Sequence, residues 1–371
     1  MWVRTGNQTF QLEEIPHSKL DACTPFEQGI LGFIQEWLKG QTEFEVKTSG
    51  STGPPKTIRF DRSQLIHSAK QSEVALGLKP GFNAMLCLDI KHIAGKMAII
   101  RSLVTRMNLI AIEPCANPFV YLPDNLRVDY VSFVPLQVET IINSSHRHQL
   151  SEMQTVLIGG APMHPKLKRQ VANLQGRWFA SYGMTETISH IALQRLNGLE
   201  KAEWFKVLPG IHIELDERGC LVINAEYLGP DKIVTNDIVE LKSPTEFIWR
   251  GRFDHVINSG GFKVHPEEVE SKLAQKFSRE GLNRRYFIGP HTNEKLGQEV
   301  ALIVEGMPLH GKASDDLHFW MRENLNRYEV PARIFYIDHF VNTENGKLRR
   351  RATLNLLSAQ PVGRDGSSTN R

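Results

Sequence analysis

Between residues 84 and 181 short apolar runs alternate with segments whose apolar residues recur at helical spacing. The runs at 84–88, 109–112, 130–134, 155–158 and 178–180 predict strands, and 95–105, 136–143 and 166–174 predict helices. Strands that are apolar throughout are buried on both faces. The alternation therefore predicts an α/β fold whose large N-terminal domain holds a mostly parallel sheet covered by helices. From 206 to 250 the period shortens to two. Ile211, Ile213 and Leu215 alternate with His212 and Glu214, Glu217-Arg218-Gly219 turns the chain, and Leu221-Val222-Ile223 returns. This is a hairpin pattern and predicts a small β subdomain. Beyond Gly251, a helix at 266–277, strands at 286–288 and 300–304, a helix at 314–325 and a strand at 333–337 predict a small α+β domain. The expected organisation is a large domain over 1–251, a small one over 252–357, and a frayed polar tail over 358–371.

Composition narrows the class. The 371 residues are 41% apolar and 23% charged, which excludes disorder throughout, a collagen-like chain and a disulfide-stapled miniprotein. No apolar stretch reaches the roughly 18 to 20 residues that span a bilayer, and the N-terminus opens no signal-like run, so we expect a cytoplasmic chain with no membrane span. Cys23, Cys87, Cys115 and Cys220 are far apart and form no CxxC, so reduced, mostly buried thiols are expected. The net charge of +3 is too small to argue for nucleic acid.

The most informative segment is Thr48-Ser49-Gly50-Ser51-Thr52-Gly53-Pro54-Pro55-Lys56. Glycines and small hydroxyl residues let backbone N–H and side-chain O–H groups approach a polyphosphate, and the lysine adds a positive charge. A Walker loop needs Gly directly before the Lys, and position 55 is Pro. The flanks also differ, because Phe44, Val46 and Thr48 alternate with charged residues, as do Ile58 and Phe60. The loop is expected to join two strands, whereas a Walker loop runs from strand into helix.

Four further segments follow in order: Ser181-Tyr182-Gly183-Met184-Thr185-Glu186; Thr235-Asn236-Asp237; Gly251-Arg252-Phe253-Asp254 with Ser259-Gly260-Gly261-Phe262-Lys263; and Thr343-Glu344-Asn345-Gly346-Lys347. Together with the loop they resemble the motifs of the adenylate-forming acyl-CoA synthetase and luciferase-like superfamily. The resemblance implies that the loop from Thr48 to Gly53 and Lys56 hold the phosphates of ATP, with Ser181, Tyr182, Gly183 and Thr185 lining the nucleotide site. It also implies that Tyr182 stacks on adenine, that Glu186 helps to hold magnesium, and that Asp237 binds the ribose hydroxyls. Arg252 would contact ribose or phosphate and Asp254 would be the pivot of a mobile small domain. Gly260 and Gly261 would line a channel for CoA, and Lys347 would approach the reacting carboxylate. The implied reaction joins a small-molecule carboxylate to CoA through an acyl-adenylate. Homodimers are common in the family, and a homodimer is part of what it implies.

The phosphate loop begins only at Thr48, so much of the superfamily's N-terminal subdomain is expected to be missing. In this the chain resembles the short o-succinylbenzoate:CoA ligases of menaquinone biosynthesis. Lys91-His92-Ile93-Ala94-Gly95 and Leu157-Ile158-Gly159-Gly160-Ala161 look like acyl-pocket segments of that subgroup, which makes His92, Gly159, Gly160 and Ala161 pocket candidates. An acid with a second carboxylate needs a counter-charge if buried, and Lys91, His92, Lys96 or a nearby polar group is expected to supply it. Three other readings stay open: a ligase for another aryl or fatty acid or for a carrier protein, a phosphotransferase releasing ADP, and a non-catalytic adenylate-binding module.

Overall fold

The computed structural model describes residues 1–18, 24–47, 56–282, 284–342 and 348–359. The chain divides into two units, Met1–Thr235 with Val239–Trp249, and Asn236–Ile238 with Arg250–Arg371.

The first unit opens with β1 (Trp2–Thr5), β2 (Gln8–Gln11), α1 (Pro25–Leu38), β3 (Glu43–Lys47), β4 (Thr57–Asp61) and α2 (Arg62–Leu76). The start of α1 is set by Thr24, whose Oγ1 accepts from the Glu27 backbone N–H while the Glu27 carboxylate accepts from that of Thr24; Pro25 needs no partner there. Strands β3 and β4 pair antiparallel from Glu43↔Asp61 to Lys47↔Thr57. Residues on either side of 48–55 thus belong to a two-stranded ribbon, as expected of a segment that joins two strands.

The chain then alternates: β5 (Asn83–Leu86), α3 (Ile93–Thr105), β6 (Asn108–Ala111), β7 (Tyr130–Phe133), α4 (Pro135–Ile142), β8 (Thr155–Ile158), α5 (Pro165–Val171) and β9 (Arg177–Gly183). Strands β5 to β9 run parallel in the order β9-β8-β7-β5-β6, and β1 adds in parallel beyond β6. One face buries Met85, Val131, Val156 and Trp178 under α4 and α5. The other buries Leu86, Leu109 and Ala111 under α1 and α3. This is the helix-covered parallel sheet that the apolar runs predict.

Beyond β9 the same sheet turns antiparallel through β10 (His190–Arg195) and β11 (Phe205–Val207), and its far end contains β12 (Ile211–Leu215), β13 (Cys220–Ala225), β14 (Ile233–Ser243) and β15 (Glu246–Arg252). The predicted hairpin is β12–β13, registered from Ile211↔Ala225 to Leu215↔Leu221.

The second unit holds β16 (Ile257–Ser259), β17 (Phe262–Val264), α6 (Pro266–Arg279), β18 (Tyr286–Asn293), β19 (Gly297–Glu305), α7 (Lys312–Asn324), β20 (Arg333–Ile337) and α8 (Arg350–Ala359). Val269, Leu273 and Phe277 of α6 and Leu317 and Met321 of α7 pack on one face of its sheet, while Leu354 of α8 packs against Phe287 and Ile303 on the other. Cys87 and Cys220 are buried and Cys115 is half-buried; Cys23 lies outside the described residues, as does the tail beyond Ala359. Among the described residues no helix is long and apolar enough to cross a membrane.

Candidate active site

From β5 the chain crosses to β6 on one side, and from β7 it crosses to β8 on the other, yet β5 and β7 are neighbours. The connections that leave their carboxyl ends therefore diverge, the arrangement beside which open α/β sheets bind ligands. Three predicted segments leave this edge of the sheet: His92 after β5, residues 159–161 after β8, and residues 181–186 at the end of β9.

His92 is the N-cap residue of α3 and half-buried. Gly159 donates its N–H to the Phe133 carbonyl at 3.0 Å, and a Cβ there would meet Ser181 Oγ at 2.4 Å. Ser181 Oγ in turn donates to the Ile158 carbonyl at 3.1 Å, so strands β8 and β9 close on each other beside Gly159. Gly160, at φ +83°, and Ala161 are exposed.

Tyr182 is half-buried, with its ring 5.1 Å from that of Phe247 and 5.9 Å from that of Phe205. The turn after it is tightly determined. A Cβ on Gly183 would lie 2.2 Å from the Ser189 carbonyl oxygen. Thr187, fully buried, accepts from the Met184 N–H at 2.9 Å and lies 2.7 Å from the Ser189 carbonyl, while the Ile188 N–H donates to the Thr185 carbonyl at 2.9 Å. Ile188 is fully buried at φ +67°, a conformation costly for a β-branched residue, and the surrounding core holds it there. This turn carries Thr185, half-buried, and Glu186, exposed.

Beneath the turn lies a polar cluster that the sequence reading did not single out. Arg101 of α3 is 2% exposed; its guanidinium donates to Ser189 Oγ and lies 3.4 Å from His190 Nδ1. Its Nε has no hydrogen-bond partner, and it pairs with no carboxylate among the described residues. His190 Nε2 is 3.3 Å from Ser72 Oγ. Burial, reinforced by the neighbouring Arg101 charge, pushes the His190 imidazole well below its ordinary value, so it is neutral. Gln137, also buried, donates to the Cys87 and Cys115 carbonyls at 3.1 and 3.0 Å and accepts from the Val134 N–H at 3.1 Å, tying together the segments that follow β5, β6 and β7. A polar residue inside an apolar helix was its one sequence signal.

Lys96 is placed elsewhere. Its ammonium donates to the Glu45 carbonyl at 2.6 Å beside Phe33, and Lys91 is exposed. The buried cation of α3 is Arg101. Lys56 is exposed at the foot of β4; residues 48–53 and Lys347 lie outside the described residues.

In the second unit Arg252 donates to both oxygens of Asp254, at 2.9 and 3.2 Å, and its Nη1 is 3.7 Å from Asp237, which is 7% exposed. Burial pushes the Asp254 carboxyl up, but the Arg252 hydrogen bond and charge hold it below the usual value. Gly260 and Gly261, at φ +58° and +87°, form the two-residue turn between Ser259 and Phe262, where both central positions demand a left-handed backbone. Among the described residues no group of three or more His, Cys, Asp or Glu side chains could hold a metal ion.

A family model described as AMP-binding enzyme matches residues 47–222. The chain is similar to the crystal structure of an acyl-CoA synthetase (AMP-forming)/AMP-acid ligase II-like protein from Dyadobacter fermentans, at 37% identity over 92% of this chain and 97% of that one, with a TM-score of 0.62. An O-succinylbenzoate coenzyme A synthetase from Bacillus subtilis, in complex with ATP and magnesium ion, shares the fold at 20% identity, covering 84% of this chain and 69% of that one with a TM-score of 0.70. A curated relative from Staphylococcus aureus named 2-succinylbenzoate–CoA ligase is 24% identical over 326 residues, which is 82% of this chain; the match spans 65% of the relative's length.

Proposed function

Because the chain belongs to the AMP-binding enzyme family, we propose that it is an ATP-dependent carboxylate:CoA ligase that works through an acyl-adenylate, with o-succinylbenzoate as the favoured acid. The observation that carries the reading is the shared carboxyl edge of β5, β8 and β9, where His92, residues 159–161 and residues 181–186 emerge within the matched span. The 37% relative supports the reaction class and the 24% relatives support the acid. Arg101 supports it too, since a buried guanidinium without a carboxylate partner among the described residues suits a substrate that brings a second carboxylate.

A carboxylate resists a thiol because it is anionic and its leaving group would be oxide. Transfer of AMP to it replaces oxide by a good leaving group. In this reading the 48–53 loop and Lys56 bind the β- and γ-phosphates, Tyr182 supports adenine, Asp237 takes the ribose hydroxyls, and Lys347 holds the attacking carboxylate at the α-phosphorus. Glu186, an exposed carboxylate next to Thr185 in the chain, would hold a magnesium ion. When bound, that ion supplies charge neutralisation as pyrophosphate leaves. For the thioester step the small domain turns about Asp254, Lys347 withdraws and Gly260-Gly261 lines the path of CoA. A cytoplasmic homodimer completes the proposal.

The test is pyrophosphate release with ATP, magnesium and a panel of carboxylic acids, with and without CoA, for the wild type and Lys347→Ala. Release that depends on o-succinylbenzoate, consumes CoA and is lost in the variant is expected. Release with a different acid keeps the mechanism and discards the substrate, and release of ADP overturns both.

A further inference from the structure

The second unit contains a run of charged contacts that the reaction scheme leaves unused. Arg350, the first residue of α8, donates to both oxygens of Glu270 on α6 at 2.6 and 2.7 Å, and to the Ile288 carbonyl at 3.0 Å. The same guanidinium lies 3.8 Å from Glu267, one turn earlier on α6. Glu267 Oε1 accepts from His255 Nδ1 at 2.6 Å, and its Oε2 occupies the place a Cβ on Gly251 would take, 2.5 Å away. Burial pushes the Glu267 carboxyl up, but His255 and Arg350 hold it below the usual carboxylate range. Helix α6 is thus joined on one side to residues 251–255, which include the Arg252–Asp254 pair, and on the other to the start of α8.

Arg350 stands three residues after Lys347. Close by, Leu348 bridges Asn342, the Arg349 N–H donates to the Val341 carbonyl at 2.8 Å, and Arg285 donates to Asn342 Oδ1 at 2.7 Å. A two-point guanidinium–carboxylate contact fixes direction as well as distance, which a lysine cannot do. Such pairs contribute little to stability, and registry is their best-supported use.

Resting on the reading of Lys347 given above, we propose that Arg350 and Glu270 are a positioning pair that registers the start of α8, three residues after Lys347 in the chain, on α6 and, through Glu267 and His255, on residues 251–255. Lys347 serves adenylation alone, so the effect of the pair falls on that half-reaction. Neither residue touches substrate.

The experiment measures two half-reactions in Arg350→Met, Glu270→Gln and Arg350→Lys: pyrophosphate release with o-succinylbenzoate, and CoA thioester formation from the preformed o-succinylbenzoyl-adenylate. Misplacement by about 1 Å predicts a loss of about 100-fold in the first step, with less than about a threefold change in the second and a smaller first-step loss in Arg350→Lys. Equal losses in both steps, or no loss in the first, overturn the proposal while the wild-type enzyme stays active. If Arg350→Met fails to fold, the isosteric Glu270→Gln carries the comparison. A folded wild type inert in both steps removes the functional reading and this inference with it.

Discussion

Tyr182 meets Phe247 edge to face, with ring centroids 5.1 Å apart and planes 80° apart, so the wall of the sheet sets the direction of the tyrosine ring. Phe247 is fully buried. Phe247→Leu is expected to cost about 1–3 kcal/mol of stability and to raise the KM for ATP severalfold, since the ring that braces Tyr182 is gone. Tyr182→Ala should weaken ATP more and stability less. Thermal melts beside steady-state kinetics check both, and an unchanged KM in the pair would detach Tyr182 from the nucleotide.

The turn after Tyr182 tolerates no side chain at Gly183, where a Cβ would come within 2.2 Å of the Ser189 carbonyl oxygen. Backbone cannot swing aside as a flexible side chain does. Gly183→Ala is expected to lose about 1–3 kcal/mol and to slow adenylation far more than that stability loss would, because Thr185 and Glu186 move with the turn. Gly32→Ala is the control, since a Cβ there meets nothing and its φ is not positive.

His190 makes the fold acid-sensitive. Its folded value lies well below the ordinary 6.5, so below that pH the unfolded chain binds a proton that the folded chain refuses. Its share of stability is intact above about pH 6.5 and falls with pH from there, by at most about 1.4 kcal/mol per unit. His190→Gln should flatten the slope of unfolding free energy between pH 6.5 and about 5. A slope identical to the wild type would show that His190 protonates freely in the fold.

Arg101 holds a buried charge beneath the turn. Arg101→Met should leave ligand-free stability unchanged or higher, since it removes a guanidinium that no carboxylate among the described residues compensates. The KM for a dicarboxylic substrate should rise at least about tenfold, and that for a monocarboxylic analogue should not. Equal changes for the two acids would assign Arg101 to the support of Ser189 and His190.

The central sheet was legible because apolar strands between helices leave a coarse pattern. The runs at 130–134 and 155–158 became β7 and β8 within a residue, and the hairpin at 211–223 became β12–β13. Helix α2 left a fainter trace, as its buried side carries Leu65, Ser68, Ala69, Ser72 and Leu76, too small and polar a stripe to stand out. Lys96 attracted attention because a charge beside a glycine-led helix is conspicuous in a string of letters, whereas Arg101 reads as one more basic residue until the packing encloses it. Burial of a long side chain depends on which helix crosses above it, and local spacing does not record that. The 48–53 loop and Lys347 were singled out by their resemblance to a set of motifs and lie outside the described residues, so the reading of them stands on motif and chemistry.

Several parallel strands deliver their loops to one edge, while the residues that hold the sheet together lie between its faces and the helices. The tasks of staying folded and of presenting loop tips at that edge are therefore written into different parts of the chain. A residue exchanged at 160 or 161, both exposed, leaves the packing of Trp178 and Val156 in the core undisturbed. Such a scaffold can change its diet by revising a few loop tips, and directed libraries confined to those positions should yield altered acid preference at little loss of folded protein.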